Sequence, residues 1–368
     1  MNTSTSTTSL AKHAAKRFLP DWLTGNAGLL AALAFLVAFP FLVAVLSGES
    51  LGGVLASESG SSKFYQGLLI EVFILGMYAL SYDLVLGVTG LLSFGHSLFF
   101  GVGAYLTGIL IKSFGWTLWP TLGAVVAAGI AQALLFSIVL PRVKGITFAL
   151  VTLGMSAVLH IVIQTHELTE WTGGDVGLQG LTPPDFLNPT TARLRFYFVA
   201  LAAVVLVYLF YRRFVSSPTG RVCIAIRENE GRALMLGYNT FHFKVVALIV
   251  SSITAALAGT LHALYQPIVS PNVASLSFTV AALLMILIGG VGTLTGAMIG
   301  AAVYRLLAFF LNRWFGEFAD FYLGLIYVVL VLFLPYGIVG TWRLRSIDLG
   351  RGRDRLLRLL TGRTTGAD

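Results

Sequence analysis

The sequence predicts an all-α fold, a polytopic transmembrane bundle of about ten helices with glycine-broken segments and one short amphipathic helix between spans. Three observations carry this. Of 368 residues, 57% are apolar and 11% charged, against roughly 25% charged in soluble domains. The apolar residues fall in runs near the ~20 residues that cross a bilayer. The cations gather between alternate runs.

Taken in order, the runs are Ala27–Leu46, Gln66–Leu86, Leu91–Ile111, Thr121–Leu140, Ile146–Gln164, Phe196–Phe214, Val245–Leu264, Phe278–Val291, Gly296–Leu311 and Phe321–Val339. The first follows Lys12, Lys16 and Arg17 as a signal peptide would. Its length, Pro40 and the lack of a small-residue cleavage site read instead as a retained helix. Residues 1–26 are expected to be a cytoplasmic tail, 27–341 the membrane domain and 342–368 a basic cytoplasmic tail.

The net charge of +8 is explained by topology. Lys12, Lys16 and Arg17 precede the first span, Arg142 and Lys144 follow the fourth, and six cations from Arg212 to Lys244 separate the sixth from the seventh. Arg343, Arg345, Arg351, Arg353, Arg355, Arg358 and Arg363 follow the last. With alternating spans all four clusters share one side, which the positive-inside rule makes the cytoplasm. Both termini are then cytoplasmic, membrane lipid is the solvent, and nucleic acid is not an expected partner. The single Cys223 excludes an internal disulfide and a multi-cysteine metal site.

Two loops are long. Thr165–Arg195, on the outer side, mixes turn formers, acids and apolar groups. Ser216–Phe243, on the cytoplasmic side, is interrupted at Pro218 and Gly220, and Arg221–Leu236 then spaces apolar residues among charges as a short amphipathic helix would. Gly237 reads as its stop. A helix lying on anionic lipid is the alternative, against which the mixture of Glu228 and Glu230 with Arg227 and Arg232 argues.

A loose echo links the halves: "GVTGLLSFGHSLFFGVGA" at Gly87–Ala104 and "GGVGTLTGAMIGA" at Gly289–Ala301. Paired glycine breaks point to discontinuous helices around a transport site, or to close small-residue helix contacts. The first reading gives translocation-pathway candidates at Gly90, Ser93, Gly95, His96, Gly289, Gly290 and Gly292.

No catalytic signature is present. "HELTE" lacks the second histidine of a zinc protease motif, and no glycine precedes a lysine, so a phosphate-binding P-loop is absent. Neither a catalytic site, a metal nor a cofactor bound by this chain is expected. Ionisable residues within spans are few: Glu71, Asp83, His96, His160, His262 and Arg305. Each is costly in hydrocarbon and is by default a functional candidate.

"YDLVLGVTGLLSFGHSLFFGVGAY" (82–105), "GRVCIAIRENEGRALMLGYN" (220–239) and "YQPIVSPNVASLSFTVAALLMILIGGVGTLTGAMIGA" (265–301) resemble, in that order, the permease subunits of branched-chain amino-acid ABC importers, in particular the M-type subunit. The resemblance covers most of Gln66–Gly340. It implies a transporter subunit of the bacterial inner membrane, paired with an H-type permease, two cytoplasmic ATPases that hydrolyse the ATP, and an extracytoplasmic substrate-binding protein. It also implies that 216–243 is the segment that couples to the ATPases, through Arg227, Glu228, Asn229, Glu230, Arg232 and Gly237. Asp83 stands where an amide-type residue is expected, which is reminiscent of the related urea and short-chain amide permeases. A self-contained secondary transporter is the further alternative.

Overall fold

A computed structural model describes residues 27–342 apart from 51, 54–59, 144 and 335. The tail cations at 12, 16 and 17 and from 343 onward, and Lys144, lie outside the described residues. Two compact units divide at Gln66.

In the first unit, α1 (Ala27–Leu46) is apolar throughout and carries Pro40 in its interior. The start of α2 (Ser61–Tyr82) is capped by Glu49, whose Oε1 accepts from Ser61 N at 2.5 Å. A carboxylate there meets the unpaired amides and the positive end of the helix dipole. Ser62 Oγ donates to the Pro40 carbonyl at 2.9 Å.

In the second unit α2 runs into a π-helical turn, Asp83–Val88, and then into an irregular stretch, 89–96. Helices α3 (Ser97–Lys112), α4 (Leu118–Val139) and α5 (Ile146–Gln164) follow, then α6 (Arg193–Ser216). The cytoplasmic-loop sequence folds as α7 (Pro218–Glu228) and α8 (Glu230–Met235). Helices α9 (Thr240–Tyr265), α10 (Leu276–Gly289), α11 (Thr295–Phe315) and α12 (Ala319–Phe333) follow, and residues 337–342 are helical again. Among the described residues, seven helical stretches are long and apolar enough to cross a membrane, and α3 and α10 are shorter apolar helices.

Helix α9 is the hub, packed on α3 and α4. Its small residues let backbones touch. A Cβ on Gly103 would fall on the Ala256 carbonyl, and one on Gly259 would fall on the Phe100 carbonyl. Hydroxyls fasten the crossings: Thr107 Oγ1 lies 2.8 Å from Thr260 Oγ1, Ser252 Oγ donates to Gly129 O at 2.8 Å, and Ser251 Oγ donates to Ser81 O at 2.6 Å. With no water to exclude between helices in lipid, such contacts and hydrogen bonds supply the association energy.

The loop after α5 folds onto the end of α9. Strand β1 (Leu178–Gln179) pairs antiparallel with β2 (Ile268–Val269), Leu178 opposite Val269. Tyr105 OH donates to the Val269 carbonyl at 2.9 Å.

Three expectations are corrected. The run from Leu91 becomes helical only at Ser97: Leu91 N bonds back to Val85 O of the π-helical turn, and Phe94 N is taken by Thr152 Oγ1 of α5. The run from Phe321 is helical to Phe333, leaves the helix at Leu334 and is helical again from 337. The single amphipathic helix is two: Asn229 adopts an extended conformation and its side chain accepts from Arg232 N at 2.9 Å, ending α7 and capping α8.

Candidate functional site

Two helix breaks meet at one point. The first is the π-helical turn, which exposes backbone groups that a regular α-helix would pair. The second is the loop between α10 and α11, where Gly290 (φ +117°), Gly292 (φ +75°) and Leu294 (φ +43°) have left-handed backbones. Asp83, fully buried, joins them. Its Oδ1 accepts from Gly292 N at 2.6 Å and its Oδ2 from Leu294 N at 3.1 Å. One carboxylate thus satisfies two amides just before α11. Position 83 is occupied by backbone capping.

Arg227, in the last turn of α7, donates from Nη1 to the Gly87 carbonyl. A Cβ on Gly292 would meet that same nitrogen and the Gly87 oxygen, both at 2.8 Å. Gly90 (φ +77°) lies under the Arg227 side chain, where a Cβ would come within 2.7 Å of Cγ. Residues from all three distant sequence motifs therefore touch: Gly87 and Gly90 from the first, Arg227 from the second, Gly292 from the third. A cavity of about 360 Å³ opens beside them, with Gly90, Leu92, Arg227, Glu228, Asn229 and Glu230 among its lining.

The two short helices are built as the sequence requires. Ser217 caps α7, accepting from Gly220 N at 3.2 Å, and Pro218 takes the first helical position, where its missing N–H costs nothing. Gly237 (φ +86°) ends α8. Glu230 faces α9: Oε1 receives Lys244 Nζ at 2.5 Å and Thr240 Oγ1 at 3.0 Å. Glu228 and Arg232 are exposed. Cys223 is buried against the Phe243 carbonyl, and burial pushes its thiol above the ordinary value.

Ser93, Gly95 and His96 are elsewhere, packed in protein rather than lining that cavity. A Cβ on Gly95 would fall on the Thr152 carbonyl of α5. His96 sits within ring contact of Tyr78, Tyr82 and Phe99. Its Nε2 is 2.9 Å from Ser81 Oγ, whose own hydrogen is donated to Tyr78 O at 2.6 Å. Nε2 is therefore the donor, and Nδ1 has no hydrogen-bond partner among the described residues. Tyr82 OH donates to the Ser93 carbonyl at 2.9 Å. Beyond them the start of α3 is satisfied from two other helices, Phe94 N by Thr152 Oγ1 at 3.1 Å and Ser97 N by Thr279 Oγ1 at 2.9 Å. Gly289 and Gly290 pack separately, Gly289 on the Gly296 carbonyl and Gly290 near the Tyr336 carbonyl.

Sequence reasoning gave no functional role to Gly87 or Lys244, and took Leu236 only as an apolar position of the amphipathic helix; Leu234, Met235 and Leu236 are exposed at the tip of α8. Three consecutive uncovered apolar residues between charged helices were the signal available for the last.

Comparison with known proteins bears on the same residues. A family model described as branched-chain amino acid transport system / permease component matches residues 64–334. The high-affinity branched-chain amino acid transport system permease protein LivM of Salmonella typhimurium is 29% identical over 338 residues, 84% of this chain and 74% of the relative. LivM of Escherichia coli gives the same identity and coverage. LivH of Escherichia coli, a permease protein of the same kind of system, is 26% identical over 72% of this chain and 90% of its own length. No solved structure matches.

Proposed function

Because this chain belongs to the branched-chain amino acid transport system permease component family, we infer that it is the membrane-spanning permease subunit of an ATP-binding cassette importer for branched-chain amino acids. It is a multi-pass protein of the inner membrane. Its partners, on this reading, are an H-type permease, two cytoplasmic ATPases and an extracytoplasmic substrate-binding protein. This chain binds no ATP itself, and both termini are cytoplasmic.

The observation that carries the mechanism is the Arg227 bond to Gly87 beside Gly292. Helices α7 and α8 dock on an ATPase through the uncovered Leu234, Met235 and Leu236, with Glu228 and Arg232 at the rim. When the ATPases close, α7 moves as a rigid lever and Arg227 draws on both helix breaks together. Gly90 and Gly292 form the moving joint. Ser93, Gly95, His96, Gly289 and Gly290 are the packing on which it turns, switching the bundle between outward and inward access.

Uptake of labelled leucine and of labelled urea is measured in cells lacking the gene and after its restoration, with the partner subunits present. Loss of leucine uptake alone is expected. Loss of urea uptake alone overturns the substrate, and retention of both overturns the importer.

Glu230→Arg tests the docking segment. It sets a second cation beside the largely buried Lys244 and is expected to detach α8 from α9, lowering recovery of the ATPase on purification several-fold. Adding Lys244→Glu restores the opposite charges and should restore recovery. Wild-type recovery from the single variant removes this segment as the dock.

A further inference from the structure

A second polar cluster lies in the middle of the spans. Glu71 is the eleventh residue of α2 and Arg305 the eleventh of α11, which puts each about 15 Å along its helix, half of a ~30 Å hydrocarbon core. Arg305 Nε donates to Glu71 Oε2, and Gln266 Nε2 donates to Glu71 Oε1 at 3.3 Å. The terminal nitrogens of Arg305 make no hydrogen bond among the described residues. The fork that reads a carboxylate is open.

The pair borders a cavity of about 150 Å³, the volume of roughly five waters. Ile74, Leu75, Phe278, Ala281 and Met285 form an apolar side of it, and His262, Gln266 and Tyr304 complete the lining. Two opposite charges beside an apolar side, in a space of this size, suit a small zwitterion that carries an apolar group.

We propose that this cavity is an intramembrane way-station for a zwitterionic, branched apolar amino acid, Arg305 taking the α-carboxylate, Glu71 the α-ammonium and the apolar wall the side chain. The site rests on the importer reading above and names the chemical class it would pass. While empty, Glu71 and Arg305 neutralise each other. A zwitterion exchanges partners with both, so no net charge enters the hydrocarbon at any stage. A ligand with only one charge separates the pair and leaves one member uncompensated, which is heavily penalised in low dielectric. Specificity for zwitterions over amines and acids follows from that penalty.

The test uses the whole importer with its binding protein in proteoliposomes, on a Cys223→Ser background. The native thiol is buried, its removal leaves this chain without a cysteine, and labelling is read on this subunit's own band. Leu75→Cys places a reporter in the cavity wall, with Ala281→Cys as a second should the first not assemble. Labelling by a small methanethiosulfonate is followed with leucine, leucinamide (no carboxylate) or 4-methylpentanoate (no amine). Leucine is expected to slow labelling at least ten-fold and the two analogues less than two-fold. Glu71→Gln and Arg305→Gln should abolish the protection and raise the KM for leucine more than they lower kcat. Equal protection by all three compounds, or none by leucine in an importer that takes leucine up, overturns the site while leaving the importer intact. An assembled importer that takes up no leucine overturns the function reading, and the site with it.

Discussion

Asp83→Ala is expected to melt the purified complex well below the wild type and to reduce uptake to a tenth or less. The carboxylate is the acceptor for Gly292 and Leu294 amides, and each buried amide left without one costs about 1–3 kcal/mol. Leu294 aggravates the loss. It holds φ +43°, the one positive-φ non-glycine among the described residues, and such a backbone costs on the order of 1–3 kcal/mol unless its surroundings hold it. Asp83→Asn should fall between: the amide keeps one acceptor oxygen and presents a donor where the second amide points. Melting temperature and initial uptake rate, measured on all three proteins, check the order. An alanine variant that matches wild type in both would show that the loop before α11 holds its shape without Asp83.

Gly95→Ala is expected to be as harmful for an opposite reason, too much atom rather than too little bonding. The added Cβ would lie on the Thr152 carbonyl, a backbone atom that moves only if α5 moves. Overpacking of this kind costs about 1–3 kcal/mol, and it would also disturb the Phe94 amide that Thr152 Oγ1 accepts. Gly154, two residues further along α5, is the control. It is exposed, with nothing within 4 Å of an added Cβ. Alanine there should stabilise by roughly 0.5–1 kcal/mol, because glycine weakens a helix interior. Opposite shifts in melting temperature are the expected result, and equal shifts would mean that close packing at Gly95 does not govern this region.

The helices were legible because hydrophobicity has to match bilayer thickness, and Ala27–Leu46 and Ile146–Gln164 were found to the residue. Leu91–His96 was taken as helix because it is as apolar as its neighbours. Its irregular backbone depends on Thr152 and Thr279, hydroxyls on other helices that no local pattern reveals. The break at Asn229 carried a local sign, a capping residue ahead of Glu230, which helical periodicity outweighed. The glycine motifs read equally as broken helices around a transport site or as close contacts; the close contacts are in the structure, yet only distance in space tells Gly292, at the joint with Arg227, from Gly95, against α5. Glu71 and Arg305 were each conspicuous, but their pairing spans 234 residues. Asp83 was read for what it says about substrate, whereas its partners are main-chain amides, which every residue has and which composition cannot distinguish.

Helix α10 has 14 residues, about 21 Å of rise, against a hydrocarbon layer of about 30 Å. It stops short of water at one end or both, and neither end can leave its backbone groups to lipid. At one end Asp83 serves the amides that follow it. At the other, the hydroxyls of Ser156 and Ser97, 2.8 Å from each other, lie 2.9 and 3.2 Å from the Ala274 carbonyl and supply it with a donor. Those side chains do the work of a hydration shell. Because the shortfall is measured against the bilayer, acyl-chain length is a variable of this protein: thinner membranes relieve the mismatch at α10, and thicker ones bear on the two polar ends that hold it.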